Sequence, residues 1–242
     1  MKSDLLENQN DYFTELLNEY GFNLSKEQKY LLLYFLSLVI EKNKVVNLTA
    51  IKSFKDGVVL HLIDSLLFSK LIDLENSKLL LDIGSGGGFP AIPLKIISDM
   101  EIHSLDSVNK KLIAQEEFIG SLNLQNFKTI HSRVEDYAKE NKYRYDYITA
   151  RALAPLVILF EYASPLLRLN GELVVSKGAK FNEELKDAQR AMNICGFELK
   201  EHINYVLPEY YGSRELVSFR KVRKESINLP RQAGKAKREP LI

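Results

Sequence analysis

Residues 79 to 96 read LLLDIGSGGGFPAIPLKI, and four of the five positions from 84 to 88 are glycine. An apolar run, a turn almost bare of side chains and a return to helical spacing describe a strand, a tight glycine turn and a helix. Such a unit suits the ligand-binding end of a parallel α/β sheet, because a bare backbone lets a ligand approach closely. The sequence beyond it agrees. LLLDIG, EIHSLD (101–106), FKTIHS (127–132), YDYITAR (145–151) and GELVVSKG (171–178) are short apolar strands separated by helical stretches. This alternation predicts a doubly wound, mostly parallel sheet with right-handed crossovers. GFELKEHINYVLP and SRELVSFRKV then follow each other with no helix between them, which predicts a terminal antiparallel hairpin and seven strands in all.

Ahead of the sheet, Leu5, Tyr12, Phe13, Leu16 and Leu17, then Tyr30, Leu33, Tyr34 and Leu38, recur at helical spacing, broken at GFNLS where Ser25 has the character of an N-cap. A loop, NKVVNLTAIKS, precedes another helix through VVLHLIDSLLFSKLI to about Ile72. The expected division is an N-terminal helical subdomain at 1–72 packed on the core, a ligand-binding core at 73–222 and a C-terminal tail at 223–242. The longest apolar run, LLLYFLSLVI at 31–40, is half the ~20 residues a membrane span needs. The polar start, MKSDLLENQNDYF, has no signal-peptide character, so a cytoplasmic protein is expected. The single cysteine, Cys195, excludes an internal disulfide, and four scattered histidines offer no metal pair, so no metal is expected.

The glycines do not serve a phosphate. A dinucleotide fingerprint beginning at Gly84 requires glycine at 89, where Phe89 stands, and a phosphate-cradling loop requires lysine and a hydroxyl where Phe89 and Pro90 stand. The spacing is instead D-x-G-x-G-x-G over Asp82, Gly84, Gly86 and Gly88. Asp106, at the end of the next strand, is placed to accept both hydroxyl hydrogens of a ribose, a role independent of any phosphate.

At these residues the chain resembles the class I S-adenosylmethionine-dependent methyltransferases. The motifs NKVVNLTAI (43–51), HLIDSL (61–66), LDIGSGGGFPAIPLKI, LDSVNKK (105–111), SRVEDY (132–137), RALAPL (151–156), SKG (176–178) and LPRQAGKAKREPL resemble, in order, one family across essentially the whole chain. That family is the small-subunit ribosomal RNA guanine-N7 methyltransferases, also called glucose-inhibited division protein B. Ala91 departs from the family's usual glycine. The resemblance implies transfer of methyl from S-adenosylmethionine, leaving S-adenosylhomocysteine, to N7 of a guanine in the 530-loop region of 16S ribosomal RNA, with the RNA or the small ribosomal subunit as partner, no membrane and a monomeric enzyme. It implies that Gly84 and Phe89 contact the cofactor, that Asp106 holds the ribose and that Val134 and Glu135 border the adenine. Arg151, at the carboxyl end of its strand, is the best candidate at the reacting end, serving either the methionine carboxylate or the RNA. His61 is expected to be a satisfied, partly buried side chain.

N7 of guanine carries a lone pair and no proton, so orientation for in-line displacement carries the reaction and no side chain need act as acid or base. Methylation at C5 of cytosine would call for a Pro-Cys pair and amino-nitrogen methylation for an Asp/Asn-Pro-Pro-aromatic motif; neither is present. A non-catalytic RNA-binding or ribosome assembly protein with this fold is the alternative, and a nicotinamide-dependent dehydrogenase is disfavoured by Phe89.

Residues 221 to 242 hold seven basic and two acidic side chains, a segment charge of +5 that leaves −4 on the rest of a chain whose formal net charge is +1. Arg231, Lys235, Lys237 and Arg238 are the expected RNA contacts. Pro230, Gly234 and Pro240 predict an extended, mobile segment, whose removal would weaken RNA binding and leave the cofactor untouched. The competing expectation is a tail packed on the core through Leu229 and Leu241.

Overall fold

The computed structural model describes residues 2–75, 78–208 and 211–242, the first eight of these, 2–9, by backbone alone. Helices α1 (Lys2–Glu19) and α2 (Lys26–Lys42) form the N-terminal layer. Ser25 caps α2 in a reciprocal box: its Oγ accepts from Gln28 N at 3.1 Å and its N–H donates to Gln28 Oε1 at 3.0 Å. The next helical stretch is not one regular helix. α3 (Phe54–Gly57) widens into a π-helical segment, Val58–Ile63, then tightens through α4 (Asp64–Leu66) and a 3₁₀ turn, Leu67–Lys70. The spacing foresees the helix but not its wide turn, a departure concentrated at functional sites.

The strands are β1 (Leu79–Ile83), β2 (Glu101–Asp106), β3 (Phe127–His131), β4 (Tyr145–Arg151), β5 (Leu167–Lys177), β6 (Phe197–Val206) and β7 (Ser213–Lys221). They form one sheet in the order β3-β2-β1-β4-β5-β7-β6. β1 to β5 run parallel, β7 antiparallel to β5, and β6 antiparallel to β7. This is the doubly wound, seven-stranded sheet with a terminal hairpin that the sequence predicts. β5 starts four residues earlier than expected, and its pairing with β4 shifts register between Tyr145 and Tyr147. Gly171 sits there because a Cβ would lie 3.0 Å from the carbonyl oxygens of Arg168, Asp146 and Tyr145.

The connections are α5 (Ala91–Ile96), α6 (Asn109–Ser121), α7 (Val134–Glu140), α8 (Leu156–Ala163), α9 (Phe181–Asp187) and α10 (Gln189–Cys195), with a last turn, α11 (Lys235–Arg238). Two apolar clusters flank the sheet. One unites α1 and α2 with α5 and α6, where Phe35 lies 4.9 Å from Phe89 and 5.7 Å from Phe118 by ring centroids. The other gathers α8, α10 and the C-terminal segment. The chain turns from β1 to β2 on one side and to β4 on the other, so the crevice at the carboxyl ends of β1 and β4 is the switch point where open sheets hold ligands.

The C-terminal tail corrects the expectation. It is folded against α8, not extended. Leu229 and Ala236 are buried, and Arg231 grips Glu161 of α8 with Nε at 2.8 Å and Nη2 at 2.5 Å. Arg190 Nη1 donates to the Ile242 carbonyl at 2.7 Å. The physical cause is Glu161, a carboxylate 3 % exposed in the apolar stretch LVILFEYA, which requires a cation at hand. The charge of Arg231 is therefore already matched within the fold.

No helix among the described residues is long and apolar enough to cross a membrane, and no group of three His, Cys, Asp or Glu among them is arranged to hold a metal ion.

Candidate functional site

The glycine turn lies between β1 and α5 and is clamped from two sides. Asp106, the last residue of β2, accepts Gly86 N–H at 3.0 Å through Oδ2 and Val108 N–H at 2.8 Å through Oδ1. From α6, Gln115 Nε2 donates to Ser85 Oγ at 2.9 Å and to Gly86 O at 2.8 Å, and its Oε1 accepts from Ser104 Oγ at 2.5 Å. Asp106 is buried at the end of its strand. Gly84 has φ of +70°, which favours glycine, and a Cβ there would also press on the Leu153 side chain at 2.5 Å. Beneath the turn Asp82 accepts from Thr149 Oγ1 at 2.8 Å, leaving Oδ2 without a partner among the described residues; burial pushes this carboxyl up to about 8.

Arg151, at the end of β4, reaches the helical layer instead of open solvent. Its Nη1 donates to Leu60 O at 2.8 Å and to Asp64 Oδ2 at 2.9 Å, and its Nη2 lies 3.0 Å from His61 Nδ1. Asp64 also accepts from Tyr205 Oη at 2.7 Å. Phe89 lies under this cluster: the His61 ring stacks on it at 4.3 Å and the Arg151 guanidinium sits 5.3 Å from its centroid. The π-helical turn places Leu60 and His61 where one arginine meets both. These groups border a cleft of about 640 Å³ at the carboxyl ends of β1, β4 and β5, together with the Leu48–Ile51 loop, Lys111, Lys177 and Arg214.

Of the residues singled out from the sequence, Gly84, Phe89 and Arg151 line this cleft together. Asp106, Val134 and Glu135 do not; they are buried along the neighbouring edge, after β2 and β3. The Glu135 carboxylate turns to the C-terminal segment, accepting Gly234 N–H at 2.7 Å. Lys235 pairs with Glu239 at 3.3 Å, and Lys237 and Arg238 are exposed. Sequence reasoning missed Thr49, Asp64, Lys111, Lys177 and Arg214 as cleft residues. Four of them lie in motifs already singled out; only Arg214, at the start of β7, carries no local signal.

His61 is satisfied, as its apolar surroundings suggest. Burial and the Arg151 guanidinium hold its pKa down to about 3. The folded state thus keeps it neutral while the unfolded chain takes up a proton below the ordinary histidine value. Its contribution to stability is complete above about pH 6.5 and falls as pH drops towards 3, at about 1.4 kcal/mol per pH unit. His61→Gln is expected to remove that slope; thermal unfolding of both proteins between pH 4 and 8 measures it, and parallel curves would count against the assignment.

A SAM dependent methyltransferase from Aquifex aeolicus superposes with TM-score 0.52 at 16 % identity, covering 69 % of this chain and 93 % of that one. TrmN from Thermus thermophilus gives 0.51 at 16 %, covering 65 % and 48 %. The fold is that of the class I S-adenosylmethionine-dependent methyltransferases. Ribosomal RNA small subunit methyltransferase G of Staphylococcus epidermidis is 37 % identical over 235 residues, 96 % of this chain and 98 % of its own length. That of Desulforamulus reducens is 37 % identical over 226 residues, 92 % and 94 %. The family model GidB, described as rRNA small subunit methyltransferase G, matches residues 28–217. A glycine turn at the switch point, the hairpin-ended sheet and relatives alike from end to end converge on one conclusion: this chain belongs to the rRNA small subunit methyltransferase G family.

Proposed function

We propose that this protein transfers a methyl group from S-adenosylmethionine to N7 of a guanine in 16S ribosomal RNA. The observation that carries the class of target atom is the state of the cleft's titratable groups. Asp64 is ion-paired with Arg151, both ring nitrogens of His61 are engaged, and Lys177 is paired with Glu184 at 2.7 Å. Among the described residues, no carboxylate or imidazole lining the cleft stands ready to remove a proton. Ring carbons and ribose hydroxyls call for such a base, whereas a ring nitrogen with a free lone pair attacks without one; among the nitrogens of that kind, the family resemblance points to N7 of guanine.

S-adenosylmethionine, when bound, supplies an activated methyl on sulfur. Gly84 and Phe89 would flank its methionine end, Asp106 its ribose, and Val134 and Glu135 its adenine, while Arg151 braces the floor. The residues present fit this: the turn's backbone is bare, and Asp106 keeps lone pairs to spare beyond its two N–H donors. Lys111 and Arg214 border the cleft with no carboxylate partner among the described residues, which suits RNA phosphates, and the exposed Lys237 and Arg238 extend that surface. Incubating the protein and S-adenosylmethionine with small-subunit RNA from cells lacking it, then cleaving the RNA chemically at N7-methylguanosine, tests the reading. One new cleavage site is expected. A methyl group elsewhere overturns the choice of atom, and bound cofactor without turnover favours an assembly role.

A further inference from the structure

The cleft contains a hydrogen-bond chain whose direction is fixed. Arginine can only donate, so His61 Nδ1, 3.0 Å from Arg151 Nη2, must accept. With the ring neutral, its one proton is then on Nε2, which lies 2.7 Å from Thr49 Oγ1 and must donate to it. Ile51 N–H donates to the same oxygen at 3.1 Å. Both lone pairs of that hydroxyl are thus filled, and its own proton has no acceptor among the described residues. Thr49 borders the cleft, beside the glycine turn and Arg151. Its backbone is pinned by Asn43, whose Oδ1 accepts Leu48 N–H at 2.8 Å and Thr49 N–H at 3.0 Å, and whose Nδ2 donates to Thr49 O at 2.9 Å. The result is a hydroxyl that is immobilised and obliged to donate.

Next to N7, guanine presents the O6 acceptor, whereas adenine presents an amino donor at the corresponding position. A hydroxyl that can only donate distinguishes the two. We propose that Thr49 donates its hydroxyl hydrogen to O6 of the target guanine, making it a specificity-determining residue that selects guanine over adenine. This rests on the guanine-N7 reading above. Arg151 and His61 act through Thr49 here, setting the polarity of the chain without touching the base.

The test compares small-subunit RNA carrying guanosine, or 2-aminopurine riboside, at the methylated position. 2-Aminopurine keeps N7 and lacks O6. Wild-type protein should prefer guanosine in kcat/KM by about tenfold, the worth of one neutral hydrogen bond. Thr49→Val should lose about tenfold on guanosine and abolish the preference, while Thr49→Ser restores it. The ratio between substrates reports on the base contact, since a merely structural defect slows both alike. Wild-type protein that methylates both equally overturns the assignment without any variant, as does a Thr49→Val protein that keeps the preference. If the wild-type methyl maps elsewhere than guanine N7, the functional reading fails and the O6 contact with it; a guanine-N7 product with an unaltered preference overturns the O6 contact alone.

Discussion

Arg231→Ala is expected to destabilise the protein by about 3–5 kcal/mol, because it strands the Glu161 carboxylate in an apolar helix with no partner for its charge. In a chain of this size that corresponds to a fall in melting temperature on the order of 10 °C. Both sides of the pair are well shielded, at 16 % and 3 % side-chain exposure, so solvent screens the attraction little. The guanidinium also donates to Glu239 O at 2.9 Å, which ties the end of the tail to the same anchor. Loosening it releases Gly234 from Glu135, so, on the adenine role proposed for Glu135, cofactor affinity should fall together with stability. Replacing both partners at once, Arg231→Met with Glu161→Leu, should recover most of the loss, since no charge is then left buried. Thermal unfolding with a titration of S-adenosylhomocysteine measures both effects. An unchanged melting temperature for Arg231→Ala would return the tail to the role of a solvated arm.

That pair marks where sequence reasoning stops. Counting charges identifies a basic tail, and a basic tail suggests RNA, but the partner that decides the matter lies 70 positions earlier. One clue was present: a glutamate within LVILFEYA sits on a helix apolar enough to be buried all round, and a buried carboxylate demands a cation. Local order was far more legible. The capping box at Ser25, the strand–glycine–helix unit at 79–96 and the terminal hairpin each follow from neighbours in sequence, since backbone propensity and side-chain period act over a few residues. Arg151 shows the intermediate case. Its position at a strand's carboxyl end was legible, whereas its partners Leu60, His61 and Asp64 come from a helix about 90 residues upstream, whose π turn no periodicity reveals. Lys177 is similar: its motif was visible, while its pairing with Glu184 and the burial that lowers its pKa needed the fold.

Asp106→Ala is expected both to destabilise the fold and to weaken cofactor binding. The side chain is buried and bonds the N–H groups of Gly86 and Val108, so its loss leaves two backbone donors without acceptors. An unsatisfied buried group costs about 1–3 kcal/mol, and with water reaching the Gly86 side from the cleft the sum should fall near 2–4 kcal/mol. Gly86 has a φ of +58° and is held in that conformation by Asp106 on one side and Gln115 on the other, so removing the carboxylate lets the turn drift from the geometry a ligand needs. Asp106→Asn separates the two roles. It keeps one oxygen for one of the two N–H groups but sets an amide donor against the other, so about half the stability should return. Its neutral amide accepts at most one ribose hydroxyl instead of two, so cofactor affinity should remain low. Chemical denaturation and calorimetric titration with S-adenosylhomocysteine distinguish these outcomes. If Asp106→Ala loses affinity at full stability, the carboxylate serves the ligand alone and the clamp on the glycine turn is held by Gln115; if it loses neither, Asp106 has no place in the site.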